Sequence, residues 1–176
     1  MKSSTKTVVF TENPLHQMFL HELCDIYDAE KQLIGAFSVW ASSAQSKELR
    51  HIFKSLLDES KGHVRQLEQI FSGLGEKIKS KTNQAMKSLL NSGFKFIEDN
   101  EHAEALDASL IATAQRAEHC GIAAYGSLCA WANEMHYEHE LEILHSILGE
   151  EKIADEKLTA IAVDYANPYA FGTETD

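Results

Sequence analysis

Leu56-Leu57-Asp58-Glu59-Ser60-Lys61-Gly62-His63-Val64-Arg65-Gln66-Leu67 breaks an otherwise regular helical stripe. Ahead of it, Leu49, Ile52, Phe53 and Leu56 recur on one helix face, and after it Leu67, Ile70 and Phe71 resume that face. The intervening steps are Glu59/Ser60 and His63, so the core side turns polar for two turns. A carboxylate turned into a helix core is costly unless it is paired or holds a cation.

The same break recurs on three other segments. Asn13-Pro14 is a strong helix start, asparagine as N-cap and proline in the first turn. From there Phe19, Leu23, Ile26/Tyr27, Ile34 and Phe37 form a stripe that passes through Glu30, predicting a helix over 14–42. Ser46 caps the second, over 47–73, which closes at Gly73 and Gly75. An alanine-rich helix over 105–134 carries Leu110, Ala114, Ala117, Ala124 and Leu128, with Glu118 and Gly121 in mid-stripe. A fourth, over 138–164, loses its stripe between Leu148 and Leu158, where Glu151 and Asp155 stand. Asn167-Pro168 is expected to end the helical pattern.

Two long hairpins joined by a basic linker and a shorter helix over 84–98 give an all-α fold. It is a four-helix bundle of two long helical hairpins with a short extra helix in the crossover. The expected divisions are a flexible N-terminal arm over 1–12, the bundle over 13–166 and a flexible C-terminal tail over 167–176. Two prolines and nine glycines among 176 residues suit so helical a chain.

The net charge of −11, with 27 acidic against 16 basic residues, disfavours nucleic-acid binding. No apolar run approaches the roughly 20 residues that span a bilayer, and Met1 to Thr11 carries no signal-peptide pattern, so no membrane partner is expected. Cys24, Cys120 and Cys129 read as small buried residues in a reducing compartment, which makes the cytoplasm the expected location.

Taken singly, each polar position has a plain explanation. Glu59/His63 could be a half-exposed pair, Glu150-Glu151 a solvated charge run, and Glu30 a surface partner within its own helix. Together they are more specific, because four helices lose their apolar stripe at matching depth. Two-metal bundle proteins take one Glu from each of two helices and a Glu with a second ligand from each of the others. Glu30 and Glu118 fit the single roles, Glu59/His63 and Glu151/Asp155 the paired ones. Hard carboxylates with imidazole suit Fe or Mn. The pairs here are spaced by four rather than the usual three, which still projects both from one face. His119 beside Glu118, and Tyr27 and Tyr125 near the ligand positions, are candidates for hydrogen bonds to the ligands. No nucleophile elbow, glycine-rich phosphate loop or CxxC is present in the sequence, so no catalytic residue is assigned beyond the metal ligands.

Four separated motifs carry a family resemblance. They are Asp25-Ile26-Tyr27-Asp28-Ala29-Glu30-Lys31-Gln32; Glu59-Ser60-Lys61-Gly62-His63 with Leu67-Glu68; Ala114-Gln115-Arg116-Ala117-Glu118-His119 leading to Ala124-Tyr125-Gly126; and Glu150-Glu151-Lys152 with Asp155-Glu156-Lys157-Leu158. In this order they resemble the YciF/YciE family of bacterial ferritin-like proteins over residues 13–164. The resemblance implies a ferritin-like bundle, an association with stress responses, and a dimetal site on Glu30, Glu59, His63, Glu118, Glu151 and Asp155. Relatives often carry a carboxylate where this chain has Gly121.

The expected function is therefore a stress-response protein with a carboxylate-bridged pair of metal ions, Fe or Mn. Its chemistry would be of the oxidoreductase type, ferroxidase or peroxide-consuming, with O2 or peroxide as partner and a homodimer as the expected assembly. Two other classes stand beside it: a metal-sequestering protein without turnover, and a structural interaction protein whose polar layer specifies bundle register.

Overall fold

Asn13 and Ser46 start the first two helices as their side chains predict. Asn13 Oδ1 accepts from the Leu15 N–H at 2.9 Å, and Ser46 Oγ from the Leu49 N–H at 3.1 Å. The computed structural model describes residues 13–100 and 103–172. Its helices are α1 (Pro14–Ser43), α2 (Lys47–Gly73), α3 (Gln84–Asn100), α4 (Leu106–Glu134), α5 (Glu138–Ile161) and a short α6 (Asn167–Phe171). The expected arm over 1–12 and the last residues of the expected tail, 173–176, lie outside the described residues.

α1 packs on α2 and on α4, and α5 on α4 and on α2. The four long helices thus form a ring in the order α1, α2, α5, α4, the all-α bundle that the stripes and the resemblance both imply. α3 lies outside the ring against α4 and α1. Asn83 ties the crossover down: its Oδ1 accepts from Met86 N–H at 2.8 Å, while its own N–H reaches Asp28 Oδ2 at 2.8 Å. Among the described residues no helix is long and apolar enough to cross a membrane.

Two helices, α2 and α4, end in tight carbonyl capping. After α2, Gly75 takes φ +69°, and the Glu76 and Gly75 N–H groups return to Phe71 O and Ser72 O. This is a Schellman closure with glycine in the left-handed position. After α4 the same pattern runs from Tyr137 to Ala132 O and from His136 to Asn133 O, but His136 holds the left-handed position with φ +58°. A side chain there is strained, so His136→Gly should raise the unfolding free energy by up to about 1 kcal/mol, read as a higher urea midpoint. At the opposite end, Asp107 is buried and accepts from the Gln45 and Ser46 N–H groups at 2.7 and 2.8 Å. It locks the α1–α2 turn to the start of α4.

The core has two apolar ends. At one, Trp40, Phe37 and Phe53 pack together, with Phe37 and Phe53 stacked at 6.0 Å. Gly93 of α3 fits beneath Trp40, where a Cβ would stand 2.8 Å from Cζ2. At the other, Phe19 packs edge-on against Tyr137. Between the ends lies a buried polar layer.

Two expectations need correction. Helix continues past Asn167-Pro168 because α5 widens into a π turn, Ala162–Ala166, in which the Asn167 N–H reaches back to Ala162 O. Pro168 then sits in the first turn of α6, where its missing N–H costs nothing. Cys120 is exposed on the outer side of α4, whereas Cys24 and Cys129 are buried; all three are free thiols.

Candidate metal centre

The four stripes each deliver one buried polar side chain to the middle layer: Glu30 from α1, His63 from α2, Glu118 from α4 and Glu151 from α5, all at most 4% exposed. Glu30, His63 and Glu151 each offer a ligand atom within 4.8 Å of the others, a cluster that could hold a metal ion. His63 Nδ1 stands 3.1 Å from Glu30 Oε1 and 3.4 Å from Glu151 Oε1. The Tyr125 hydroxyl, fully buried, donates to Glu30 Oε1 at 2.7 Å.

Gly121 makes the room. A Cβ there would lie 2.2 Å from Glu151 Oε2 and 2.9 Å from its Cδ. The space left by the missing side chain receives the Glu151 carboxylate from the neighbouring helix.

Three buried carboxylates around one imidazole set the electrostatics. Burial alone would lower the His63 pKa, but its hydrogen bonds to Glu151 and Glu30, with their charges, overcome this and hold the ring up to about 11. Burial lifts Glu118 well above the usual carboxylate range, and the charges of Glu151 and Glu30 add to it. Glu151 rises to about 7, again mainly through burial, with His63 opposing. Besides burial, two acids so close oppose each other's ionisation, so the pair is held above the ordinary carboxylate range. Burial likewise keeps the Tyr125 hydroxyl protonated, so it serves as a donor.

These shifts fix a sign. A carboxyl whose folded pKa is raised stabilises the fold fully below its unfolded value and loses that contribution as pH rises through the folded one. For Glu151 the window runs from 4.5 to about 7. Metal-free protein should therefore lose stability across that window, on the order of 3 kcal/mol. Urea titrations at several pH values check this against Glu118→Gln/Glu151→Gln, whose profile should be flatter.

A cation fits this site on two grounds. Glu30 Oε2 is buried and accepts no hydrogen bond in the structure, although buried carboxylate oxygens are normally satisfied. The donor set, carboxylates and one imidazole, is that of hard or borderline divalent ions.

Glu59 and Asp155 stand apart from the cluster. Glu59, 24% exposed, accepts from Ser55 Oγ at 2.8 Å and pairs with Lys157 Nζ at 3.6 Å. Asp155, 20% exposed, accepts from Gln115 Nε2 at 3.0 Å and faces His119 Nε2 at 3.5 Å. His119 thus reaches Asp155, and Tyr27 donates to Glu68 at 2.9 Å rather than to Glu30. Of the two candidate tyrosines, Tyr125 meets the site. Glu150, read from the sequence as part of a solvated charge run, accepts from His63 Nε2 at 3.1 Å. Helical angle alone places it outside; only the approach of α2 to α5 gives it that partner.

Known proteins share this framework. The E. coli protein YciF is 36% identical over 157 residues, covering 89% of this chain and 95% of the relative. The crystal structure of the E. coli stress protein YciF superposes with a TM-score of 0.83, covering 87% of this chain and 97% of that one. YcfI of Rhodopseudomonas palustris matches at 32% identity and a TM-score of 0.80, over 85% of this chain and 96% of that one. A Xanthomonas campestris protein at 16% identity and a TM-score of 0.72, over 91% of this chain and 98% of that one, shares the fold. The family described as "Domain of unknown function (DUF892)" matches residues 14–171, and with these relatives it establishes that the chain belongs to that family of YciF-like proteins.

Proposed function

We propose that the buried layer is a dinuclear metal centre for Fe or Mn and that the protein carries out redox chemistry there under stress. One observation carries this reading: two buried carboxylates, Glu30 and Glu151, converge on a single imidazole beside a third buried carboxyl, Glu118, and one Glu30 oxygen lacks a hydrogen-bond partner. Such a layer holds excess negative charge, which metal ions would neutralise in place of protons. Glu30, His63, Glu118 and Glu151 are the inner ligands. Glu59 and Asp155 complete the set by side-chain rotation away from Ser55, Lys157, Gln115 and His119.

Bound Fe or Mn supplies one-electron chemistry toward O2 or peroxide. The chain's own part is to hold the ligands in dry surroundings, with Tyr125 fixing the Glu30 carboxylate and apolar layers on both sides excluding water. The homodimer, the oxidant and the cytoplasmic location belong to the same proposal.

The test is to load the protein anaerobically with Fe(II) or Mn(II) and follow O2 or peroxide consumption. The reading predicts a rate well above that of the free ion, lost in Glu151→Ala. Stoichiometric binding with no such rate would leave a sequestering protein instead.

A further inference from the structure

His63 meets a different kind of carboxylate at each ring nitrogen. Nδ1 faces the buried Glu30 and Glu151. Nε2 meets Glu150 Oε2, on a side chain that is 42% exposed and lines an open groove with Glu59, Gly62 and Arg65. Glu150 is itself held from its own helix, since Ser146 Oγ donates to its Oε1 at 3.3 Å.

We propose that Glu150 is a positioning residue for the metal centre, fixing His63 so that Nδ1 is presented to the ion. This rests on the metal-centre reading above. A neutral imidazole has one N–H and one lone pair, and the nitrogen that ligates is the one left bare. A carboxylate at 3.1 Å from Nε2 is an acceptor only, so it retains the N–H on that nitrogen. Nδ1 faces Glu30 and Glu151 and donates to them in the metal-free layer. An ion bound between these carboxylates would take the place of that proton, leaving Nδ1 to ligate while Glu150 keeps the other proton on Nε2. Ser146, Glu150 and His63 form a relay of contacts from the groove edge to the centre. Its outer members fix the orientation of the inner one.

The adjacent residues Glu150 and Glu151 thus have separate tasks. Glu151 offers its oxygens to the ion from inside the layer, while Glu150 acts through the ring without entering it. A plain surface ion pair between Glu150 and His63 would matter little to metal binding.

Zn(II), which is redox-silent, is the probe. Its affinity for the full chain is measured by competition with a fluorescent chelator in wild type, Glu150→Ala and Glu150→Gln. The account expects Glu150→Ala to weaken binding by about 10- to 100-fold. Glu150→Gln should stay near wild type, because its amide oxygen accepts the same N–H. In 15N-histidine-labelled wild type loaded with Zn(II), NMR should show His63 with metal on Nδ1 and a proton on Nε2. Unchanged affinity in Glu150→Ala, equal weakening in Glu150→Gln, or zinc on Nε2 would each overturn the assignment. A wild-type chain that takes up no ion would instead overturn the metal-centre reading itself.

Discussion

Gly121→Ala is expected to cost the protein its metal while leaving the bundle folded. The added methyl would sit 2.2 Å from Glu151 Oε2 and 2.9 Å from its Cδ, closer than non-bonded atoms approach. Glu151 is 4% exposed and packed between α4 and α5, so its carboxylate must leave the position that faces His63 Nδ1. Groups that merely orient a metal's ligands are worth about 10- to 100-fold in affinity, so displacing a ligand should exceed about 100-fold. The helix itself gains, because glycine is about 0.8–1.0 kcal/mol less favourable than alanine in a helix interior. Circular dichroism should therefore be unchanged while Mn(II) or Zn(II) uptake collapses. Gly126→Ala is the control on the same helix, since a Cβ there meets nothing within 4 Å. Normal metal uptake by Gly121→Ala would show that the Glu151 carboxylate is not needed where it lies.

The second large effect is on stability. His63→Ala should destabilise the metal-free protein by about 3–5 kcal/mol near pH 8, the cost of leaving buried charges without their partner. His63 is the cationic partner of Glu30 and Glu151 inside the layer and of Glu150 at its edge. Held to about 11, its pKa lies far above the usual 6.5, so its contribution is complete below pH 6.5, declines progressively above it and is gone once pH passes about 11. At pH 4.5 the penalty should shrink, because Glu118 and Glu151 then hold protons of their own. Urea unfolding of wild type and variant at both pH values checks this. A penalty independent of pH would mean that packing, rather than charge, is what the ring provides.

The buried polar residues were legible because a helical stripe is a geometric rule: Glu30, His63, Glu118 and Glu151 fall where the apolar period demands a core residue. All four are buried together. Glu59 and Asp155 follow the same reasoning less firmly. A residue four positions along a helix is displaced by about 40° around the axis, so its carboxylate can turn inward or outward, and local partners decide. Lys157 and Ser55 hold Glu59, and Gln115 and His119 hold Asp155. Helical angle places Glu150 outside, and only the packing of α5 on α2 brings it to His63. Gly121 was visible as a gap in a stripe, but a missing side chain says nothing of what fills the space. The π turn after α5 left no periodic signature, since one extra residue per turn spans only Ala162–Ala166.

The most direct measurement is metal content after anaerobic reconstitution with Fe(II) and Mn(II), made on wild type and Glu151→Ala side by side. The account predicts two ions per wild-type chain and loss of binding in the variant. A wild-type chain that retains no transition metal after reconstitution, or a variant that retains as much, would contradict it.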